Sequence, residues 1–187
     1  MRDINQAGID LIKSFEGIMD GDPATVKLDA YLDPIGIWTI GWGHAIRDGS
    51  GFLRGKENTQ RARDLYPGGI TLAQAETLLR GDVLDTCRDV ELLVKTEISA
   101  NQFAALVCFA YNVGTGNLGK STLLRKLNAN DVQAAAGEFA NWNKAGSRVL
   151  AGLTKRRAAE AKLFTTPDEG IEQPSPQPAA PRGGAGV

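Results

Sequence analysis

Hydrophobic residues recur every three or four positions near the start of the chain, over residues 3–15. This spacing places them on one face of an amphipathic helix. Either Asn5 or Asp3 suits the cap of this helix, and Gly17 follows its last turn as a stop signal. We therefore expect Glu16 at, or just beyond, the C-terminal end of the helix.

A second pattern follows, in which β-branched and aromatic residues are bounded by turn residues. Runs at residues 28–31 and 35–40 are separated by Asp33-Pro34, and Gly41 and Gly43 come directly after the second run. The pattern predicts a small antiparallel hairpin or meander that ends at these glycines.

The remainder of the pattern is helical. Thr71 with Gln74 forms the sequence signature of a capping box at the start of a helix over 71–94, and the same signature opens residues 99–112. Residues 99–112 are apolar on all sides, so we expect them to form the buried central helix. Shorter helices are predicted at 56–66, 121–130, 131–142 and 153–164. A small β element followed by a helical bundle indicates an α+β fold in two lobes, with a cleft at their junction.

Composition divides the chain near residue 164. Residues 165–187 hold five of the eight prolines and too little apolar surface to offset the entropy of ordering. This segment contains three acidic residues and one arginine, a net −2, which leaves +1 for residues 1–164 out of the total of −1. We therefore expect one domain over 1–164 and a flexible Pro/Gly/Ala-rich tail over 165–187.

Charge and the scarcity of histidine and cysteine exclude several classes of function. A net charge of −1 over 187 residues lacks the basic excess of a nucleic-acid-binding protein. One histidine, His44, and two cysteines, Cys87 and Cys108, argue against a zinc centre. Cys108 stands in an apolar run, where a buried packing role is favoured. We expect no metal and no cofactor, so carboxylate chemistry is the enzymatic class that is left.

Glu16 and Asp33 are carboxylates whose predicted surroundings differ in a useful way. Phe15 and Gly17 give Glu16 less polar neighbours, and a helix C-terminus disfavours negative charge, so both favour the protonated form. Asp33 lies in a turn, where water keeps a carboxylate ionised. Hydrolysis of a glycosidic bond needs such a pair, one group to donate a proton and one that is ionised. With 22 acidic residues in the chain, this pairing alone is not specific.

A longer motif over residues 30–46 is specific. Its pattern, Tyr-x-Asp-x-x-Gly-x-x-Thr-x-Gly-x-Gly-His after a Glu that closes the first helix, resembles that of the phage-type lysozymes, glycoside hydrolase family 24. The matching residues are Glu16, Tyr31, Asp33, Gly36, Thr39, Gly41, Gly43 and His44. The similarity continues through 70–79, 101–128 and 142–164, so it covers nearly all of 3–164. It implies the lysozyme-like α+β fold, with a small antiparallel β lobe, a larger helical lobe and the active cleft between them.

The resemblance also implies a role for three motif residues. Glu16 is the general acid, Asp33 is the second carboxylate, and Thr39 helps to hold the attacking water. The implied mechanism is inverting, and an inverting enzyme keeps its two carboxyl groups roughly 6.5–9.5 Å apart to leave room for that water.

Five residues are candidates for contacts with the substrate, and each has a structural alternative. They are Tyr31, Trp42, His44, Asn112 and Gly114. Trp42, with Trp38 beside it, suits stacking on sugar rings, but alternation along a strand favours a core position equally. For His44 a buried structural role is favoured over a catalytic one, and for Gly114 the alternative is the end of a helix. The basic run 155–157 suits attraction of an anionic wall polymer, although a solvated helix face is favoured.

Two segments depart from the compact members of the family. The long spacing between Glu16 and Asp33 predicts an enlarged loop over 20–28 at the rim of the cleft, and residues 46–69 form an insertion.

By resemblance, the expected function is that of an endolysin that cleaves the β-1,4 bond between N-acetylmuramic acid and N-acetylglucosamine in bacterial peptidoglycan, causing host-cell lysis. Peptidoglycan is the expected partner of a monomer, and neither nucleic acid nor stable membrane insertion is expected. The start of the chain does not resemble a signal peptide. We therefore expect a protein of the host cytoplasm that depends on a holin for release to the cell wall. A virion-associated lysozyme domain, a non-catalytic peptidoglycan-binding module and a lytic transglycosylase stay open as alternatives.

Overall fold

The computed structural model describes residues 2–17, 27–49 and 51–168, and the chain forms eight helices and seven short strands within them. The first helix, α1 (Gln6–Glu16), is fixed at both ends. The side chain of Asn5 accepts a hydrogen bond from the N–H of Gly8 at 3.0 Å, so Asn5 is the cap. Gly17 has φ of 64°, a conformation that glycine adopts without steric cost, and the helix ends at Glu16 as predicted.

The small lobe is built on a three-stranded antiparallel sheet with the order β1 (Tyr31–Leu32), β2 (Trp38–Ile40), β3 (His44–Ala45). Tyr31 faces Thr39 across the first pair of strands. The sequence predicted that the sheet ends at Gly41 and Gly43, but the sheet continues beyond them into β3. These glycines, with φ of 61° and 84°, form the turn that reverses the chain into β3, because positive φ permits a tight reversal.

Residues 46–69 complete the small lobe. They form the hairpin β4 (Arg47–Asp48) and β5 (Gly51–Phe52), a 3₁₀ turn at Lys56–Asn58, and α2 (Thr59–Leu65). The helix predicted at 56–66 is confirmed. The hairpin was not predicted, because its two-residue strands are exposed and carry no alternating pattern.

The helical lobe begins with α3 (Leu72–Leu93) and α4 (Ala100–Val113), and both predicted capping boxes are formed. It continues with α5 (Thr115–Lys120), α6 (Thr122–Asn128), α7 (Val132–Glu138), a 3₁₀ turn (Phe139–Trp142), the hairpin of β6 (Lys144–Ala145) and β7 (Arg148–Val149), and α8 (Ala151–Thr165). Of these, α5 and the β6–β7 hairpin were not predicted. The α+β architecture of the prediction is confirmed. None of the described helices combines the length and apolar character that a membrane crossing needs.

Helix α4 is the centre of the core, as its sequence predicted. Every residue from Phe103 to Ala110 is at most 2% exposed, and α1, α3 and α8 pack around this helix. Phe109 packs edge-on against Phe139, with ring centroids 5.4 Å apart. Cys108 is buried in the predicted packing role, and its thiol donates to the carbonyl of Gly8 at 3.3 Å. Burial raises the pKa of this thiol far above its usual range.

Helix α8 ends at Thr165, and contacts with the helical lobe continue to Asp168, inside the segment predicted as the tail. The carboxylate of Asp168 accepts hydrogen bonds from the N–H groups of Ala100 (2.7 Å) and Asn101 (2.8 Å), at the start of α4. Residues 165–168 of the predicted tail are therefore attached to the central helix. Residues 169–187 lie outside the described part of the chain, and for them the tail stays a prediction.

Replacement of Asp168 by alanine should lower the free energy of unfolding at pH 7 by about 1 kcal/mol, because two donors at the start of α4 lose their acceptor. Partial burial of Asp168 opposes its ionisation, but hydrogen bonds from Ala100 and Asn101 hold its pKa below the usual value. The stabilisation is therefore complete at neutral pH and should shrink as the pH falls below about 4.

Urea denaturation of two truncated chains provides a matched control. A chain that ends after residue 168 should be as stable as the full chain, whereas one that ends after residue 164 should lose at least as much stability as Asp168→Ala, because it also removes the carbonyls of Thr166 and Pro167 that accept from Asn101. Equal stability of the two truncated chains would show that the Asp168 contacts contribute nothing.

Candidate active site

Glu16 is held by an arginine from the opposite end of the chain. Its Oε1 lies 2.9 Å from Nη1 of Arg156 in α8. The side chain of Arg156 is 7% exposed and that of Glu16 is 30% exposed, so the pair lies at the edge between core and solvent. The setting of Glu16 is thus not the purely apolar one that the sequence predicted, because residues 140 positions apart are invisible to each other in a local pattern.

Arg156 belongs to a buried network of charges in α8. Glu160, with a side chain that is 0% exposed, accepts from Nε of Arg156 at 3.2 Å and from Nη2 of Arg157 at 2.9 Å. Arg157 also donates to Oδ1 of Asn112 at 2.8 Å. Burial raises the pKa of Glu160 to about 7, although Arg157 and Arg156 act in the opposite direction.

This network corrects the interpretation of residues 155–157 as a solvated face. Lys155 is exposed, but Arg156 and Arg157 are buried. The sequence does contain a signal, since Glu160 follows the two arginines by four and three positions, the spacings at which helical side chains meet. That spacing usually marks an exposed pair, so it does not reveal burial.

Asp33 is held by the turn that joins β1 and β2. Its Oδ1 accepts hydrogen bonds from the N–H groups of Ile35 (3.0 Å) and Ile37 (2.7 Å), and its own N–H donates to the carbonyl of Ile37 at 2.9 Å. Within the described residues, Oδ2 has no hydrogen-bond partner. The turn therefore fixes the carboxylate and leaves one oxygen available to a ligand.

Tyr31 lies within electrostatic reach of both carboxylates. Burial raises the pKa of its hydroxyl, and the negative charges of Asp33 and Glu16 raise it further. Both carboxylates therefore lie close enough to Tyr31 to act on it. Thr39, opposite Tyr31 in the sheet, is buried and donates from Oγ1 to the carbonyl of Ile37 at 3.3 Å, so its oxygen keeps the capacity to accept.

His44 pairs with an aspartate that the sequence did not single out. Its Nδ1 lies 2.9 Å from Oδ1 and 3.0 Å from Oδ2 of Asp82 in α3. The ring is part-buried, and its hydrogen bond goes to Asp82 and not to Glu16. Because an ionised carboxylate only accepts, Asp82 favours the tautomer with hydrogen on Nδ1.

Tyr111 of α4 connects the His44 pair to Glu16. Burial raises the pKa of Tyr111 to about 12, with Asp82 and Glu16 adding to the effect and Arg156 opposing it. Tyr111 therefore lies within electrostatic reach of both Asp82 and Glu16. Neither Tyr111 nor Asp82 belongs to the short motif, which is why both were missed.

The other candidates for substrate contacts have structural duties. Trp42 is 6% exposed with the ammonium of Lys13 4.4 Å from the centre of its ring, so it is a core residue with no open face for a sugar. Asn112 is exposed but accepts from Arg157. Gly114 has φ of 92° and joins α4 to α5, the helix-end role kept as its alternative.

The enlarged loop predicted over 20–28 lies mostly outside the described residues, which resume at residue 27. In the described ranges, no cluster of three or more His, Cys, Asp or Glu side chains could hold a metal ion.

The arrangement provides two carboxylates that the protein holds in different ways. Glu16 projects from the end of a helix and is oriented by a buried guanidinium, whereas Asp33 projects from a turn of the sheet and offers a free oxygen. Tyr31 lies within electrostatic reach of both carboxylates. Hydrolysis of a glycosidic bond needs two carboxyl groups in different surroundings, and Glu16 and Asp33 differ in this way.

Known proteins resemble this chain in both sequence and fold. Residues 14–160 match the family model described as Phage lysozyme. The endolysin of Bacillus phage B103 is 44% identical over 164 residues, which are 87% of this chain and 54% of that protein, so the chain spans about half the length of this relative. The endolysin of Acyrthosiphon pisum secondary endosymbiont phage 1 is 34% identical over 86% of this chain and 97% of its own length. The muramidase domain of SpmX from Asticaccaulis excentricus superposes with a TM-score of 0.67 at 36% identity, covering 89% of this chain and 100% of that one.

Replacement of Arg156 by alanine should lower the free energy of unfolding by about 3 kcal/mol, because it leaves the buried Glu160 with one cation and removes the partner of Glu16. Lys162→Ala, an exposed lysine on the same helix, is the control and should change stability by no more than about 0.5 kcal/mol. Urea denaturation measures both. Equal effects of the two substitutions would mean that the network does not hold the helix.

Proposed function

Because the chain belongs to the phage lysozyme family, we propose that it is an endolysin that hydrolyses the β-1,4 bond between N-acetylmuramic acid and N-acetylglucosamine in bacterial peptidoglycan. The observation that carries the proposal is the pair of carboxylates, Glu16 held by Arg156 at the end of α1 and Asp33 held by backbone N–H groups in the β1–β2 turn. Their different surroundings support different roles in one reaction.

Glu16 acts as the general acid. Its carboxyl group gives a proton to the glycosidic oxygen as the bond from that oxygen to the anomeric carbon breaks. Arg156 orients the carboxyl group from the protein side, and Glu160 holds Arg156 in turn. Glu16 is left negatively charged next to a guanidinium that is already in place.

Asp33 acts as the general base. Its Oδ1 is occupied by two backbone N–H groups, so Oδ2 is the oxygen that accepts a proton from water as the water attacks the anomeric carbon. Thr39 positions that water by accepting from it, since its own hydrogen is directed to the carbonyl of Ile37. Attack by water from the face opposite the leaving group inverts the configuration of the sugar.

The remaining expectations concern the whole protein in its host. Action as a monomer, residence in the host cytoplasm and release to the wall with the help of a holin follow from the family resemblance, and they stay predictions. Lysis of the host cell is the biological outcome that this chemistry would serve.

Substitution of Glu16 by glutamine should lower turnover of purified peptidoglycan by at least about 10²-fold, because the amide has no proton to donate. The fold should persist, since the amide oxygen still accepts from Arg156. Glu97→Gln, at an exposed glutamate with no described ion pair, is the matched control and should retain wild-type turnover. Near-normal turnover by Glu16→Gln would remove Glu16 from the mechanism.

The first product formed should carry the α configuration at its new reducing end, because inversion of a β bond gives an α anomer. Proton NMR during early turnover measures this, before the anomers equilibrate. An initial β anomer would identify Asp33 as a nucleophile, and a 1,6-anhydro product would favour the transglycosylase alternative.

A further inference from the structure

A cavity lies in the small lobe between the start of β1 and the end of α2. Its volume is about 460 Å³. We call it the β1–α2 cavity, and it is lined by Asp29, Ala30, Tyr31, Arg63, Tyr66 and Gly68. Binding sites for small ligands have volumes of roughly 300–1,000 Å³. The β1–α2 cavity is therefore large enough to hold one small ligand or one unit of a polymer.

The backbone holds the two walls of the β1–α2 cavity together. Leu28 and Ile70 exchange two backbone hydrogen bonds, at 2.7 Å and 2.9 Å, which join the segment before β1 to the segment after α2. Gly69 has φ of 71° at this junction, and a β-carbon there would lie 2.6 Å from the carbonyl oxygen of Leu28. Only glycine fits at this close approach. The separation of the two walls is therefore set by the backbone and not by a few side chains.

The β1–α2 cavity presents polar side chains that have no partner in the described part of the chain. Tyr31 and Tyr66 are half-buried, and neither hydroxyl forms a hydrogen bond there. Burial raises the pKa of both hydroxyls, so they stay protonated and able to donate at neutral pH. Arg63 forms no ion pair there either, although Arg61 on the same helix is paired with Asp48. These groups are therefore available to a ligand.

Stability of the fold accounts for only part of this arrangement. The ring of Tyr66 packs against the hydrophobic core, whereas Tyr31 is not among the described residues that do so. Arg63 is exposed, and an exposed arginine without an ion pair contributes little to folding. Packing therefore explains the ring of Tyr66, but it explains neither Tyr31 nor Arg63.

The β1–α2 cavity adjoins the candidate catalytic carboxylates. Tyr31 precedes Asp33 by two residues, so the Cα atoms of the two residues lie at most about 7 Å apart. The charges of Asp33 and Glu16 also reach the hydroxyl of Tyr31. A polymer that is cleaved at Asp33 continues on both sides of the scissile bond, so its neighbouring units lie close to this wall of the cavity.

We propose that the β1–α2 cavity binds one saccharide unit of the glycan strand, away from the bond that is cleaved. The inference rests on the proposed function. A saccharide unit carries hydroxyl and acetamido groups that both donate and accept hydrogen bonds. The hydroxyls of Tyr31 and Tyr66 can do both, and Arg63 donates. Because the carboxylate of Asp29 also lines the cavity, the site contains charges of both signs and favours a neutral ligand over an anion.

Hydrolysis of a graded series of glycan oligosaccharides tests the proposal. For the wild type, kcat/KM should rise once the oligosaccharide is long enough to reach the β1–α2 cavity. Arg63→Ala should reduce this rise about tenfold and Tyr66→Phe about fivefold, because each variant loses hydrogen bonds to the sugar. The fold should persist in both, since Arg63 is exposed and phenylalanine keeps the ring that packs against the core.

The matched control is Arg61→Ala, two residues earlier on the same helix. It removes the same charge outside the cavity, and its kcat/KM should match that of the wild type at every length of oligosaccharide. If Arg63→Ala lowers kcat/KM by one factor at all lengths, or by no more than Arg61→Ala does, the proposal is wrong.

Binding in the background of Glu16→Gln identifies the chemistry of the ligand apart from catalysis. Oligosaccharides of N-acetylglucosamine carry no carboxylate, and calorimetry should show about tenfold weaker binding of them after Arg63→Ala, with little dependence on salt. A loss confined to ligands that carry carboxylates, and reduced by added salt, would overturn the proposal in favour of an anion site. If the chain with intact Glu16 binds these oligosaccharides through Arg63 but cleaves no glycan, the proposed hydrolysis fails and the saccharide site stands.

Discussion

The guanidinium of Arg156 is the contact on which the site depends. It joins Glu16, at the end of α1, to Glu160, a fully buried carboxylate in α8. Burying such charges costs several kcal/mol per ion, and four polar atoms of this network, in Arg156, Arg157 and Glu160, have no hydrogen-bond partner in the described structure. Replacement of buried ion pairs by apolar residues of similar volume is often neutral or stabilising, so stability alone does not explain such a network. The network therefore serves to fix the direction of one side chain, because Arg156 reaches Glu16 in a defined orientation only while Glu160 holds its other edge.

The rest of the fold fixes the ends of the elements that carry Glu16 and Asp33. The side chains of helix α4 fill the centre of the core and are almost fully buried. In its last turn, Asn112 accepts a hydrogen bond from Arg157, and Tyr111 lies within electrostatic reach of Asp82 and Glu16. Helix α1 ends at Glu16 because Gly17 takes a left-handed conformation. The β1–β2 turn begins at Asp33, whose Oδ1 accepts hydrogen bonds from two backbone N–H groups of that turn. Each carboxylate thus stands where a regular element stops and is partly exposed to solvent.

The division between what sequence predicted and what it missed follows the range of the interactions. Capping by Asn5 and the two capping boxes involves residues three positions apart, so local pattern was sufficient. Trp42 is an aromatic residue of the kind that stacks on sugar rings. The ammonium group over its ring comes from Lys13 on another element, and no local pattern predicts that contact. The same limit hid Asp82 behind His44 and Arg156 behind Glu16. Similarity to the motif identified the two carboxylates, whereas their partners could be identified only from the three-dimensional structure.

Sharing one guanidinium between two carboxylates also bears on how Glu16 would work. A general acid starts neutral and ends as an anion, so the proposed reaction places new negative charge on Glu16 at the moment the glycosidic bond breaks. In water, dipoles would have to turn toward that charge, and this reorganisation raises the barrier. Here Arg156 already points at Glu16 and cannot swing away, because Nε is committed to Glu160. The buried network is costly to fold, but it provides the proposed proton donor with an electrostatic environment that is already oriented before the reaction.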